Sequence, residues 1–250
     1  MNIFTVLDVT SNNPDMPVIS AADVEYIFPY EKDAYGHWAF GNIQPLVSKV
    51  SDKGLTEQSV SPVYSENYLT LSGDGKSLLS DFADSNINCT IATVFKVDSY
   101  SDVPVIFGSL GPTSSGGGGI YMFTNTEDQT GSLFANYRGT NLGNTPIATG
   151  LSANTWYFLA LSREVIDETG KIGLKVKVNE IASVSRNQTN AGLYQPNESI
   201  ACGQAFYGTS QGAITDFAEF IIFDKALTID ELNSLYFRSK SRMAKLGINI

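Results

Sequence analysis

Residues Gly212–Ile250 read GAITDFAEFIIFDKALTIDELNSLYFRSKSRMAKLGINI, and this stretch decides the fold. Ile214, Phe217, Phe220, Ile221, Ile222 and Phe223 form an apolar, β-branched and aromatic run that predicts a strand over Ala213–Phe223. Asp224-Lys225 turns the chain. Thr228 then precedes Glu231 by three residues, the spacing of a capping box, and Leu227 and Leu232 fall at the positions of a hydrophobic staple. Ile229, Leu232, Leu235 and Tyr236 recur at helical spacing, and Arg238, Lys240, Arg242 and Lys245 gather at the end where cations suit the helix dipole. The segment therefore predicts a strand, a tight turn and a capped amphipathic helix.

Upstream of it the pattern is strand and turn throughout. Strands are expected at Tyr68–Leu71, Ile87–Asp98, Val103–Phe107, Ile120–Phe123, Ser132–Tyr137, Trp156–Arg163, Lys171–Val178 and Ile200–Tyr207. Gly73-Asp74-Gly75, Gly139–Gly143 and Thr169-Gly170 mark turns between them. Regular strand spacing without a βαβ rhythm predicts an all-β fold, a two-sheet antiparallel jelly-roll sandwich with one C-terminal α-helix. Ile87–Asp98 alternates in a way that predicts one buried face, bearing Cys89, Ile91 and Phe95, and one more polar face. Trp156 is expected in the core because its strand is apolar on both sides. Residues 1–35 are irregular and broken by Asn12-Asn13-Pro14-Asp15. They read either as an arm or attachment segment, with the sandwich occupying 36–250, or as a first strand of the same domain.

The chain has 250 residues, 42% hydrophobic and 11% aromatic, enough for a sizeable core. Its formal net charge of −10 disfavours nucleic acid and anionic membrane as partners, since both need basic patches. Two cysteines, Cys89 and Cys202, exclude a disulfide-rich scaffold and leave open either buried free thiols or one disulfide. No apolar run spans a bilayer, and no cationic and apolar leader of the secretory type opens the chain. The expectation is synthesis in a bacterial cytoplasm without Sec export.

Most catalytic constellations are missing. The one histidine, His37, adjoins Trp38 in an expected opening strand and reads as structural. Gly73-Asp74-Gly75-Lys76-Ser77 contains a GKS triplet, but Thr70 stands where a phosphate-binding loop needs its first glycine. No Gly-x-Ser-x-Gly elbow occurs. No acidic cluster has the alternating spacing that would set two carboxylates about 5 Å apart on one strand face for retaining glycoside hydrolysis.

Gly212, Ile214, Asp216, Phe217, Asp224, Leu227, Thr228, Glu231 and Leu232 match a pattern of strand, turn and helix start that resembles the closing segment of laminin-G-like and pentraxin-like domains of the concanavalin A-like lectin/glucanase superfamily. Trp156-Tyr157-Phe158-Leu159-Ala160-Leu161 and His37-Trp38-Ala39-Phe40-Gly41-Asn42 are similar to two further strands of that family. The resemblance implies the jelly-roll fold, loop-bound calcium and glycan binding. Asp81, Asp84 and Asn86 would offer calcium oxygen ligands from one loop. Asn136, Tyr137, Arg138 and Asn141, at a strand-to-loop edge, and Tyr207 have the composition of a sugar site: planar rings to stack and amides and charge for hydroxyls. Together with the acidic all-β composition, this resembles bacteriophage tail or fibre proteins. The expected function is a non-catalytic carbohydrate-recognition module, a virion receptor-binding protein for host-surface glycans, homo-oligomeric and joined to other virion proteins. The alternatives are a structural or decoration virion protein without a sugar site, and a glycan-cleaving enzyme.

Overall fold

The computed structural model describes residues 30–41, 45–58, 61–72, 77–84, 88–98, 103–109, 118–125, 127–137, 140–141, 146–166, 172–180, 182–188, 198–203 and 213–250. Among the described residues sixteen strands precede one helix: β1 (Gly36–Ala39), β2 (Thr56–Gln58), β3 (Val63–Tyr64), β4 (Leu69–Ser72), β5 (Ser77–Ala83), β6 (Cys89–Val97), β7 (Val105–Gly108), β8 (Gly118–Asn125), β9 (Thr130–Tyr137), β10 (Thr140–Asn141), β11 (Ala148–Ser152), β12 (Tyr157–Val165), β13 (Ile172–Val178), β14 (Ala182–Gln188), β15 (Ser199–Gly203), β16 (Ile214–Phe223) and α1 (Ile229–Lys245). Two antiparallel sheets result. Sheet one has the order β14-β13-β12-β6-β16-β4-β3, with β1 also on β16; sheet two has the order β10-β9-β8-β7-β15-β5-β2, with β11 also on β9. The all-β sandwich with a single C-terminal helix is thus the observed architecture. Among the described residues no helix is long and apolar enough to cross a membrane.

The main core lies between the sheets, where Trp38, Phe95, Phe107, Phe217 and Phe220 interlock. Cys89 and Cys202 are free thiols buried in this core, which settles the choice between thiols and a disulfide. Desolvation pushes both thiols up, Cys202 the more so.

A second core covers the outer side of sheet one. Ala92, Val94, Phe158, Ala160, Ile221 and Phe223 meet Leu232, Leu235, Tyr236 and Met243 of α1 there. This corrects the expected polar face of β6: the strand is buried on both faces because the helix lies over its second side. The helix begins as its sequence requires. Thr228 Oγ1 accepts the Glu231 N–H (3.2 Å) while the Glu231 carboxylate accepts the Thr228 N–H (2.7 Å). Leu227 and Leu232 are both buried beneath it. Thr90 and Ser162 tie Leu227 to sheet one: its N–H donates to Thr90 Oγ1 (3.0 Å) and its carbonyl accepts Ser162 Oγ (2.8 Å).

Trp156, expected in the core, is half-buried at the edge of this second layer. Its ring meets Tyr68 edge-on at 5.6 Å, and Lys96 Nζ lies 5.3 Å from its centroid.

The end of the 1–35 segment lies against the sandwich. Glu31 is buried and pairs with Arg238 (2.8 Å) and Arg242 (2.9 Å) of α1. Its N–H donates to His37 Nδ1 (3.0 Å). The other ring nitrogen, Nε2, therefore carries the proton and donates to Glu219 (2.9 Å). Glu219 also accepts from Arg242 Nε (2.7 Å) and from Ser239 Oγ. Burial alone would raise this carboxyl; the Arg242 guanidinium and then His37 hold it well below the usual carboxylate range. With no solvent exposure and both ring nitrogens engaged, His37 has the structural role its sequence context implied.

Candidate functional site

Sheet two carries its own outward surface. In β8, Gly-Gly-Ile-Tyr-Met-Phe-Thr-Asn, the strand period of two sends Ile120 and Met122 into the main core and leaves Tyr121 and Phe123 on the other side. In β9, Leu133 and Ala135 face the core, while Phe134 packs with Tyr121, Val103 and Val105 on the outer side. The register aligns Tyr121 with Phe134 and Phe123 with Ser132.

The three rings form a compact cluster. Tyr121 and Phe134 stack at 5.8 Å between centroids with 18° between planes. Phe123 stands edge-on to both, at 5.4 Å from Tyr121 and 5.2 Å from Phe134. Tyr121 is buried in the cluster, Phe134 is half-buried, and Phe123 is 50% exposed. Paired aromatics of this kind prefer edge-to-face or offset arrangements, so the cluster is a stable platform.

Gly108 lets β7 approach β8 closely at this end of the sheet. Its φ is +131°, and a Cβ there would stand 2.2 Å from the Gly118 carbonyl oxygen.

The expected sugar-binding segment continues the same strand. Asn136 pairs with Gly119 on one side and Asn141 on the other, and Tyr137 pairs with Gly118 and Thr140. The backbone thus brings Asn136, Tyr137 and Asn141 together at the β9–β10 edge, two residues beyond Phe134. Arg138 and Tyr207 lie outside the described residues.

The acidic trio expected in one loop is arranged differently. Asp81 is on β5, exposed, accepting from Tyr35 Oη (2.7 Å) and Lys53 Nζ (3.0 Å). Asp84, just past the strand, points the other way. It is fully buried, bound by Arg163 Nη1 (2.6 Å) and Ser109 Oγ. Period-two alternation would have separated 81 from 84 had the segment been read as a strand. Asn86 lies outside the described residues. Among the described residues no group of three or more His, Cys, Asp or Glu is placed to hold a metal ion.

Two other features are weaker candidates. The Tyr68–Trp156 pair has Lys96 over both rings, at 5.7 Å and 5.3 Å, and Asp216 holds that ammonium at 2.8 Å. An internal cation already occupies the ring faces a ligand would use. A cavity of about 20 Å³ between the sheets, lined by Cys89, Gly118, Arg163, Leu174 and Ile200, has room for a water molecule and none for a sugar.

The sequence did not single out Tyr121, Phe123 and Phe134 as a group. The available signal was aromatic residues at alternate, non-core positions of two neighbouring strands, and it needs the register to be seen.

No protein-family model matches this sequence, and no curated protein matches it. Solved structures do. The receptor-binding domain of botulinum neurotoxin D superposes with a TM-score of 0.52 at 13% identity, over 83% of this chain and 53% of that one. The receptor-binding domain of botulinum neurotoxin type G gives 0.54 at 9% identity, over 83% and 52%. A sialidase of Trypanosoma rangeli gives 0.59 at 13% identity, over 82% and 32%. The chain shares their β-sandwich fold. It spans about half the length of the toxin domains it matches. A further match is the ligand-binding domain of botulinum neurotoxin serotype D in complex with N-acetylneuraminic acid, with a TM-score of 0.51.

Proposed function

We propose that this chain is a non-catalytic carbohydrate-recognition module whose site lies at the β8–β9–β10 end of sheet two, with Asn136, Tyr137, Arg138 and Asn141 as its polar and stacking groups and Tyr207 as a further contributor. The observation that carries the reading is the fold shared with receptor-binding domains, one of them matched in complex with N-acetylneuraminic acid. It is supported by convergence on one sheet: the expected sugar-binding segment on β9 and β10 and the exposed aromatic cluster on β8 and β9 share strand β9.

The finer part of the proposal is biological context. The chain is a bacteriophage tail or fibre protein that binds host-surface glycans, assembles as a homo-oligomer, and joins other virion proteins through residues 1–35. This rests on the sequence resemblance. Oligomerisation would turn weak single sites into binding tighter by about 10²–10⁴. Calcium binding by Asp81, Asp84 and Asn86 would require Asp84 to give up both Arg163 and Ser109 and turn out of the interior toward Asp81.

The test is binding to a printed glycan array and to whole bacterial cells, in calcium and in chelator. Wild type is expected to bind, and Tyr137→Ala combined with Arg138→Ala to abolish binding with an unchanged thermal midpoint. Release of reducing ends from a bound polysaccharide would show an enzyme instead. Absence of binding to any glycan or cell would replace recognition with a structural role.

A further inference from the structure

We infer that Tyr121, Phe123 and Phe134 form a stacking face for the apolar C–H side of a neutral pyranose ring, distinct from the acidic sugar bound by a matched structure. The inference rests on the carbohydrate-recognition reading above. It adds the contact surface and the class of sugar.

Size argues for a sugar rather than a second copy of the chain. A fully exposed aromatic side chain presents about 150–250 Å². Phe123 at 50% exposure then offers about 100 Å², and the buried Tyr121 and half-buried Phe134 bring the cluster to under about 200 Å². A specific protein interface needs about 800 Å² per partner. The cluster falls far short of that and is comparable to one face of a six-membered sugar ring.

Chemistry argues the same way. Planar rings meet axial C–H groups, and flanking polar groups receive the hydroxyls. Ser132, directly across from Phe123 in the register and half-buried, supplies one such hydroxyl partner.

Charge decides the class of sugar. Glu127 and Asp128 are exposed in the turn that joins β8 to β9, just beyond Phe123, on a chain of net charge −10. A carboxylated sugar on this face would meet like charge from the turn and from the whole molecule. A neutral hexose would not.

The experiment is a printed array holding neutral glycans beside their sialylated counterparts, lactose beside 3′-sialyllactose among them, with affinity then measured by calorimetry on the best neutral binder. Four variants are compared with wild type: Phe123→Ala, Phe123→Leu, Phe123→Trp, and Phe237→Ala as an exposed aromatic elsewhere. Losing about 100 Å² of stacking surface should weaken binding by roughly tenfold or more. Phe123→Ala should show it, and Phe123→Leu should weaken binding too, because leucine keeps the apolar packing but removes the planar face. Phe123→Trp and Phe237→Ala should bind as wild type.

Undiminished binding by Phe123→Ala and Phe123→Leu would overturn the stacking face and leave the recognition reading standing. Preference for sialylated over neutral partners would overturn the neutral assignment alone. A change of sedimentation state in Phe123→Ala without a change in glycan affinity would make the face an interface between copies. No glycan binding by wild type would overturn both the inference and the reading under it.

Discussion

Glu219→Gln tests the least expected part of the interior. Glu219 is a buried carboxylate that receives His37, Arg242 and Ser239 at once, and it joins β1, β16 and α1 across 182 residues of sequence. Glutamine keeps the shape and removes the charge. Breaking a buried ion pair by altering one partner costs about 3–5 kcal/mol, because the other charge stays behind unmatched. Arg242 retains Glu31 at 2.9 Å, so the lower end applies, about 3 kcal/mol. For a domain of this size 1 kcal/mol moves the midpoint by about 2–4 °C, so the expected loss is about 6–12 °C at pH 7.

The pH dependence follows from the direction of the Glu219 shift. Its folded carboxyl lies below the ordinary value of 4.5. The folded state therefore holds fewer protons here than the unfolded chain, and stability from this group is complete above about pH 4.5 and drains away as pH falls further. Thermal melts followed by tryptophan fluorescence, with Trp38 fully buried as the reporter, should show a gap between wild type and variant that is constant near neutrality and narrows below pH 4.5. Equal midpoints at pH 7, or a gap that ignores acid, would refute the ionised network.

Thr228→Ala removes one half of the capping box and should cost about 1 kcal/mol, read as a fall of about 2–4 °C in the midpoint; no change would argue that the tertiary packing of α1 alone sets its start. Cys89 and Cys202 should both resist maleimide in the native protein and both react in denaturant without any reductant, as counted by mass spectrometry; labelling of only the reduced protein would contradict two free thiols.

Elements with one strong local pattern were legible in the sequence. The Thr228–Glu231 box, the Leu227–Leu232 staple and the apolar run of β16 state their structure within a few residues. β5 is not legible because its inward set is Leu78, Ser80 and Phe82, and a buried serine hides the alternation. Ser80 is there because its hydroxyl donates to the Ile200 carbonyl on the neighbouring strand (2.6 Å). The polar face expected of β6 is buried for a related reason: Thr90 looks solvent-facing, yet its hydroxyl donates to the Lys225 carbonyl and accepts the Leu227 N–H beneath the start of the helix. The Asn136–Asn141 edge was readable from composition. The Tyr121–Phe123–Phe134 platform was not, since its members become neighbours only through the pairing of β8 with β9.

The placement of β16 has a consequence for how the chain is made. It is the last of the described strands in sequence, and it stands inside sheet one, hydrogen-bonded to β6 on one side and to β1 and β4 on the other. At about 5–20 residues per second, a ribosome that has finished β6 needs roughly 6–25 s to reach the end of β16. Until β16 is made, nothing joins the β14-β13-β12-β6 strands, the β4-β3 pair and β1 to one another, and α1 is not yet present to cover the apolar side of β6 and β12. Nascent chains stalled before Ile214 therefore carry open strand edges and a bare apolar face, the features that recruit chaperones or seed aggregation. Sheet one is complete only once its closing strand and the helix that seals it have been made, one directly after the other.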